Sequence, residues 1–212
     1  MVSPALLGLD TATVEVEVDL RPGLPGFSVV GLPDAAVQEA RERVRSGLVN
    51  QAFALPALRI VANLAPADLR KAGPQYDLPV ALTILSASGQ VRPGVLAGTG
   101  ALGELALDSA LRPVAGALAM AEHGARRGWR RLVVPEANAA EASLVPGIQV
   151  LGARTLRHAV DLLERRAQPA GQQVHAADLL AATDPGSHAD LADVRGQGDA
   201  RRALEVAAAG GH

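Results

Sequence analysis

A mixed α/β fold, with parallel and antiparallel strands in one sheet covered by helices, is the class this sequence predicts, on three observations. Apolar and acidic residues alternate near the N-terminus. Strand-like and helix-like segments alternate after residue 58. Hydrophobic residues make up 49% of the 212 and aromatic residues only 2%, so the core must be built of Ala, Val, Leu and Ile.

The elements follow in order. Val14, Val16 and Val18 alternate with Glu15, Glu17 and Asp19, the pattern of a half-buried strand with a solvated acidic face. A Pro/Gly turn over residues 21–26 leads to a short strand at 27–31, expected as its hairpin partner. Asp34 is placed to cap a helix whose apolar residues Val37, Ala40, Val44 and Leu48 follow helical spacing, with Asn50 as its stop. Glu39 and Arg43 form an i,i+4 pair on it. A strand at 58–64 ends at Ala65-Pro66, and Asp77 is expected to cap a buried helix closed by Gly89. Residues 99–106 and 109–112 read as a hairpin about Leu107-Asp108, and 113–127 as a helix. A strand at 130–134, a short helix at 135–142, a strand at 148–151 and a helix capped by Thr155 to Arg166 complete the series.

Composition bounds the chemistry. A net charge of −2 argues against binding nucleic acid by bulk charge, although a local basic face remains open. The absence of Cys excludes disulfides, thiol nucleophiles and thiolate metal sites. Lys71 is the only lysine. The start lacks a basic region and a long apolar run, and the longest apolar helical stretch, residues 78–87, is too short to span a bilayer. A cytoplasmic protein without a membrane partner is expected. The five histidines show no metal-ligand spacing, so no metal site is expected, and His123 reads as a solvated or capping residue near a helix end.

Three segments are distinctive. Residues 23–34 read Gly-Leu-Pro-Gly-Phe-Ser-Val-Val-Gly-Leu-Pro-Asp. Residues 63–79 read Asn-Leu-Ala-Pro-Ala-Asp-Leu-Arg-Lys-Ala-Gly-Pro-Gln-Tyr-Asp-Leu-Pro, and residues 190–197 read Asp-Leu-Ala-Asp-Val-Arg-Gly-Gln ahead of a helix. Together they resemble the ComM/YifB family, the magnesium-chelatase-like AAA+ proteins of bacteria, from about residue 5 onward. The resemblance implies an N-terminal domain over 1–166 similar to ribosomal protein S5 domain 2 and to the Lon proteolytic domain. A polar, Pro/Gly-containing linker is expected over 167–189, and the start of an AAA+ ATPase module over 190–212, cut before its Walker A loop. For the full-length protein it implies a hexameric, ATP- and Mg²⁺-dependent motor or helicase implicated in DNA branch migration during natural transformation, with DNA and its own copies as partners. No cofactor is expected in this chain itself.

The likeness to Lon offers a Ser-Lys peptidase dyad, and the residues decline it. Where Lon has its nucleophile after Gly-Pro, this chain has Gln75 after Gly73-Pro74, and a carboxamide cannot act as an alkoxide. The run from Pro113 puts Leu118 at the lysine position, 43 residues after Gln75. Gln75 and Leu118 are therefore expected as a pseudo-dyad, lying close together with neither reacting group. No catalytic residue is assigned. For DNA contact, the Arg70-Lys71 loop beside Gly73 is the first candidate, weighed evenly against a purely structural turn. Arg41, Arg43 and Arg45 are the second, although they fan around their helix among acidic residues. Arg126, Arg127, Arg130 and Arg131 flank Trp129, which is available in principle to stack. Val194, Gly196 and Gln197 resemble a segment that packs beside adenine in related modules, an incomplete nucleotide site without the phosphate loop. The expected role is a non-catalytic domain of an ATP-driven DNA motor. The alternatives are an oligomerisation domain without DNA contact, or a subunit of a magnesium-chelatase-like complex.

Overall fold

The computed structural model describes residues 1–7, 10–171 and 193–210. The chain divides into two compact units, residues 1–175 and 176–212. The first holds nine strands and five α-helices among the described residues: β1 Val2–Leu7, β2 Asp10–Arg21, β3 Gly26–Val30, α1 Ala35–Asn50, β4 Arg59–Ala65, α2 Asp77–Ala87, β5 Thr99–Ala101, β6 Glu104–Leu105, β7 Leu111–Arg112, α3 Ala117–Arg126, β8 Arg131–Pro135, α4 Glu136–Ala142, β9 Gln149–Ala153 and α5 Leu156–Leu163. Seven strands form one mixed sheet in the order β3-β4-β2-β1-β5-β8-β9. β2 pairs antiparallel with β1 and β4, and the remaining four pairings are parallel.

Strand period decides which face each residue covers. Val14 and Val16 are buried while Glu15 and Glu17 are exposed, as the alternation predicts. Ala5, Ala101, Val133 and Leu151 look into the larger core, filled by α1, α2 and α5. Their neighbours Leu102, Leu132, Val134 and Val150 look the other way, into a second core under α3 and α4. The expected aliphatic composition holds: Tyr76, Phe53 and Trp129 are the only aromatic side chains among the buried hydrophobic residues. No helix among the described residues is long and apolar enough to cross a membrane.

Several expectations are corrected. β3 is not the hairpin partner of β2: both edges of β2 are taken, by β1 and β4, so β3 joins β4 in parallel through the α1 crossover. Gly31 ends β3 at φ +98°, and a Cβ there would stand 2.1 Å from the Leu64 carbonyl oxygen. The stretch 99–106 is split, because β5 joins the main sheet while β6 pairs with β7. The third helix starts at Ala117 instead of 113, after Gly116 in the left-handed region. Residues 167–171, expected as linker, lie against the sheet: the Ala170 N–H donates to the Gly152 carbonyl at 2.8 Å and Ala170 is buried. The rest of the expected linker, 172–189, lies outside the described residues. In the second unit a helix, α6 Gly198–Gly210, follows exposed Val194, Gly196 and Gln197.

Candidate functional site

The two longer distinctive segments meet in space. Asp34 caps α1 through Oδ1, which accepts from the Val37 N–H at 2.9 Å, and its Oδ2 accepts from the Gly73 N–H at 3.1 Å. Around it the backbone closes twice: Asp34 N–H donates to the Lys71 carbonyl at 3.0 Å, and Lys71 N–H to the Leu32 carbonyl at 3.2 Å. Residues 23–34 and 63–79 thus form one hydrogen-bonded unit. Gly73 sits at φ +88°, and a Cβ there would lie 2.5 Å from the Gln75 Oε1, so glycine leaves room for the Gln75 side chain to fold back. A 3₁₀ turn, Pro74–Tyr76, leads into α2.

Lys71 of this unit and Arg43 of α1 turn their charges inward, against two of the expected DNA contacts. Lys71 is fully buried, and its ammonium donates to the Pro66 carbonyl. Burial lowers its pKa, against a smaller opposing pull from Asp68. Arg43 keeps 17% of its side chain in solvent and grips Asp77 with two bonds, Nε to Oδ2 at 2.6 Å and Nη2 to Oδ1 at 3.1 Å. It also donates to the Ala36 carbonyl at 2.9 Å and keeps the expected Glu39 pair at 3.7 Å. Asp77 does not cap α2: it is the first helical residue, after Tyr76, and its Oδ2 also accepts from the Leu105 N–H at 3.1 Å. Burial pushes the Asp77 carboxyl up to about 6, against the pull of Arg43. Burial pushes the Tyr76 hydroxyl up to about 12, so it stays protonated at neutral pH. The Arg43–Asp77 pair escaped the sequence reading because its members are 34 positions apart and no local period links them.

The other candidates are scattered. Arg41, Arg45 and Arg70 are exposed, and Arg41 donates to the Gln38 carbonyl of its own helix at 3.0 Å. Gln75 is buried, and its carbonyl accepts from the Gly103 N–H just beyond β5. Leu118 is 42% exposed near the start of α3. The two head helices on opposite faces of the sheet but at its same end, since Gly116 abuts Leu6 near the end of the parallel neighbour β1. His123 is buried instead of solvated, its ring nitrogens 3.0 Å from the Thr11 hydroxyl and 2.8 Å from the Thr13 hydroxyl. Trp129 is buried with an edge contact to His123, so it offers no exposed stacking face.

The residues present do not fit a nucleotide-phosphate site. The chain has no Gly-rich loop ending in Lys-Ser or Lys-Thr, and its single lysine is inside the fold. Val194, Gly196 and Gln197 stand exposed without a phosphate cradle in the sequence beside them. Among the described residues no three His, Asp or Glu side chains gather as metal ligands.

These features define a helix-covered mixed-sheet domain whose most distinctive motif is consumed in holding the fold. Residues 16–138 match the family described as subunit ChlI of Mg-chelatase, and the chain belongs to this magnesium-chelatase-like family, among its ComM and YifB relatives. It is 47% identical over 210 residues to an uncharacterized protein of Mycobacterium tuberculosis, covering 99% of this chain and 41% of the relative. To the uncharacterized protein YifB of Escherichia coli it is 42% identical over 211 residues, 98% of this chain and 40% of that protein. To the competence protein ComM of Haemophilus influenzae it is 41% identical over 211 residues, 99% of this chain and 41% of that protein. The chain therefore spans about two fifths of the length of these curated relatives.

Proposed function

We propose that this chain is the non-catalytic N-terminal domain of a ComM-type AAA+ ATPase, and that the full-length protein is an ATP-driven DNA branch-migration motor of natural transformation. The observation that carries the accessory role is the inward use of charge: Lys71 is bonded to Pro66, and Asp77 is saturated by Arg43 and Leu105. The resemblance to Lon puts Gln75 at the nucleophile's position, and a carboxamide there cannot attack a carbonyl as an alkoxide would. The motor role leans on the relative whose name is competence protein ComM. ATP and Mg²⁺ would be bound by the rest of the full-length protein, assembled as a hexamer.

A second reading, an oligomerisation domain with no DNA contact, is favoured by the burial of Lys71 and the pairing of Arg43 with Asp77. A magnesium-chelatase subunit is the third, supported by the family description. The test uses the full-length protein on a synthetic four-way DNA junction. ATP-dependent branch migration is expected, and deletion of residues 1–171 should abolish or weaken it. An ATPase that leaves the junction unmoved would overturn the motor role, and one that works equally well without residues 1–171 would overturn the accessory role.

A further inference from the structure

The arginines that the sequence leaves in an unremarkable corner are gathered by the fold. One cleft of about 300 Å³ is lined by Arg131, Arg165, Gln149, Gln168 and apolar neighbours. A second of about 270 Å³ is lined by Arg92, Arg130 and, again, Arg131. Arg166 adjoins them in sequence. Among the described residues, the one carboxylate that forms ion pairs with these five arginines is Glu164, bonded to Arg166 at 2.6 Å and lying 3.9 Å from Arg92. Arg130, Arg131 and Arg165 have no carboxylate partner among the described residues.

The crowding is built. Arg131 is half-buried and fixed by two bonds, Nε to the Thr99 hydroxyl at 3.1 Å and Nη2 to the Val95 carbonyl at 2.6 Å. Arg130 is anchored on the Ala97 carbonyl at 3.0 Å. A Cβ on Gly98 would lie 2.7 Å from the Arg130 Nε, so the glycine clears the place where that guanidinium rests. Arg165, at φ +60°, is the left-handed residue that closes α5, its N–H on the Leu162 carbonyl at 3.1 Å, and this turn brings its side chain to the first cleft. The Arg131 pKa is lowered by burial first, and then by the like charges of Arg130 and Arg165. Glu164 answers Arg92 and Arg166, whereas Arg130 and Arg131, anchored beside Arg165, have no carboxylate among the described residues, and a bound anion would stabilise them. Guanidinium forks suit phosphate oxygens.

We infer that the Arg92, Arg130, Arg131 and Arg165 clefts are a phosphodiester-binding surface that holds the backbone of a nucleic-acid strand. Two clefts sharing Arg131 suit a ligand that repeats its charge, as a polynucleotide does, better than a single anion. With Trp129 buried, the surface reads phosphate and not base, so binding is independent of sequence. The identity of the polyanion rests on the DNA-motor reading, whereas the anion site rests on the arginines alone.

The test is binding of the 212-residue chain to a labelled oligothymidylate across a salt series. Changing Arg130→Ala and Arg165→Ala together should flatten the slope of log K against log salt by about 1.4, about 0.7 for each single-strand phosphate no longer neutralised. Arg165→Lys should keep most of the slope. The triple change Arg41→Ala, Arg45→Ala, Arg70→Ala should leave it unchanged, and matched melting curves should show that all variants are folded. An unchanged slope in the double variant, no DNA binding by the parent chain, or competition by polyglutamate equal to that of oligothymidylate would each overturn the inference. Junction migration by the full-length protein judges the motor reading separately. Migration that persists in the Arg130→Ala, Arg165→Ala double variant overturns this surface and not the motor.

Discussion

The loop over residues 66–77 and the corner around Arg131 carry the same kind of charge in opposite circumstances. Around the loop two cations are taken inside: Lys71 of the loop is fully buried on a carbonyl, and Arg43 of α1 is held by the Asp77 carboxylate in bidentate contact, while Arg70 stays exposed. At the corner, backbone carbonyls and a hydroxyl orient Arg130 and Arg131 without neutralising them. A cation with an internal carboxylate partner contributes to the fold, and one held in place without such a partner remains available to an outside anion. The distinctive motif is therefore architecture, and the recognition surface lies in a segment that composition alone would pass over.

The widest gap between the two regions should appear on removing Arg43. Arg43→Ala leaves Asp77 buried without its partner and should cost about 3 kcal/mol near neutral pH, the lower end for a broken buried pair, because Arg43 is partly in solvent. The cost should shrink with acid. A folded carboxyl raised to about 6 from an ordinary 3.8 binds its proton more tightly than the unfolded chain does. The stability from that proton is complete below 3.8 and is lost as pH rises through about 6. Without Arg43 the carboxyl moves higher still. Urea unfolding of parent and variant near pH 7.5 and near pH 4 measures this, and a difference independent of pH would break the account. His123, whose pKa is lowered mainly by burial, acts in the opposite sense as pH falls, but it does so in both proteins and cancels.

A smaller effect is expected at Lys71. Lys71→Met keeps the aliphatic stem and strands the Pro66 carbonyl, for a loss of about 1–3 kcal/mol. Its DNA salt slope should match that of the parent, since a buried ammonium contacts no phosphate. A shallower slope in a variant that still folds would return Lys71 to the DNA surface and erase the contrast.

The smallest perturbation probes the inherited frame. The chain has no cysteine, so Gln75→Cys with Leu118→Cys introduces the only two thiols. We expect a thiol reagent spanning roughly 10 Å, well beyond the reach of a reacting pair, to join them across the shared end of the sheet without a change in melting temperature. Failure to cross-link, with both thiols reactive singly, would remove the Lon-like pseudo-dyad from the description of this domain.

Much of the fold was legible because its signals are local. Asp34 at its cap, the buried face of α1, the acid-apolar alternation of β2 and the buried run of α2 follow from periods of 3.6 and 2 within one segment. The candidate site was less legible. Arg43 looked like one of three fanned surface arginines, and only its neighbour across 34 positions made it internal. Arg165 fell within the helix expected to run to Arg166, and Lys71 looked like a loop cation beside a glycine.

The sequence by itself determined most element types and the aliphatic core, because each depends on residue identity and near neighbours. Only the tertiary structure decided that β3 joins β4 instead of β2, that the 167–171 segment lies along the sheet, and which arginines are neutralised and which are crowded. Strand partners and counter-charges are chosen by burial among residues far apart in sequence. Desolvation becomes costly, and therefore selective, only when the chain closes over them.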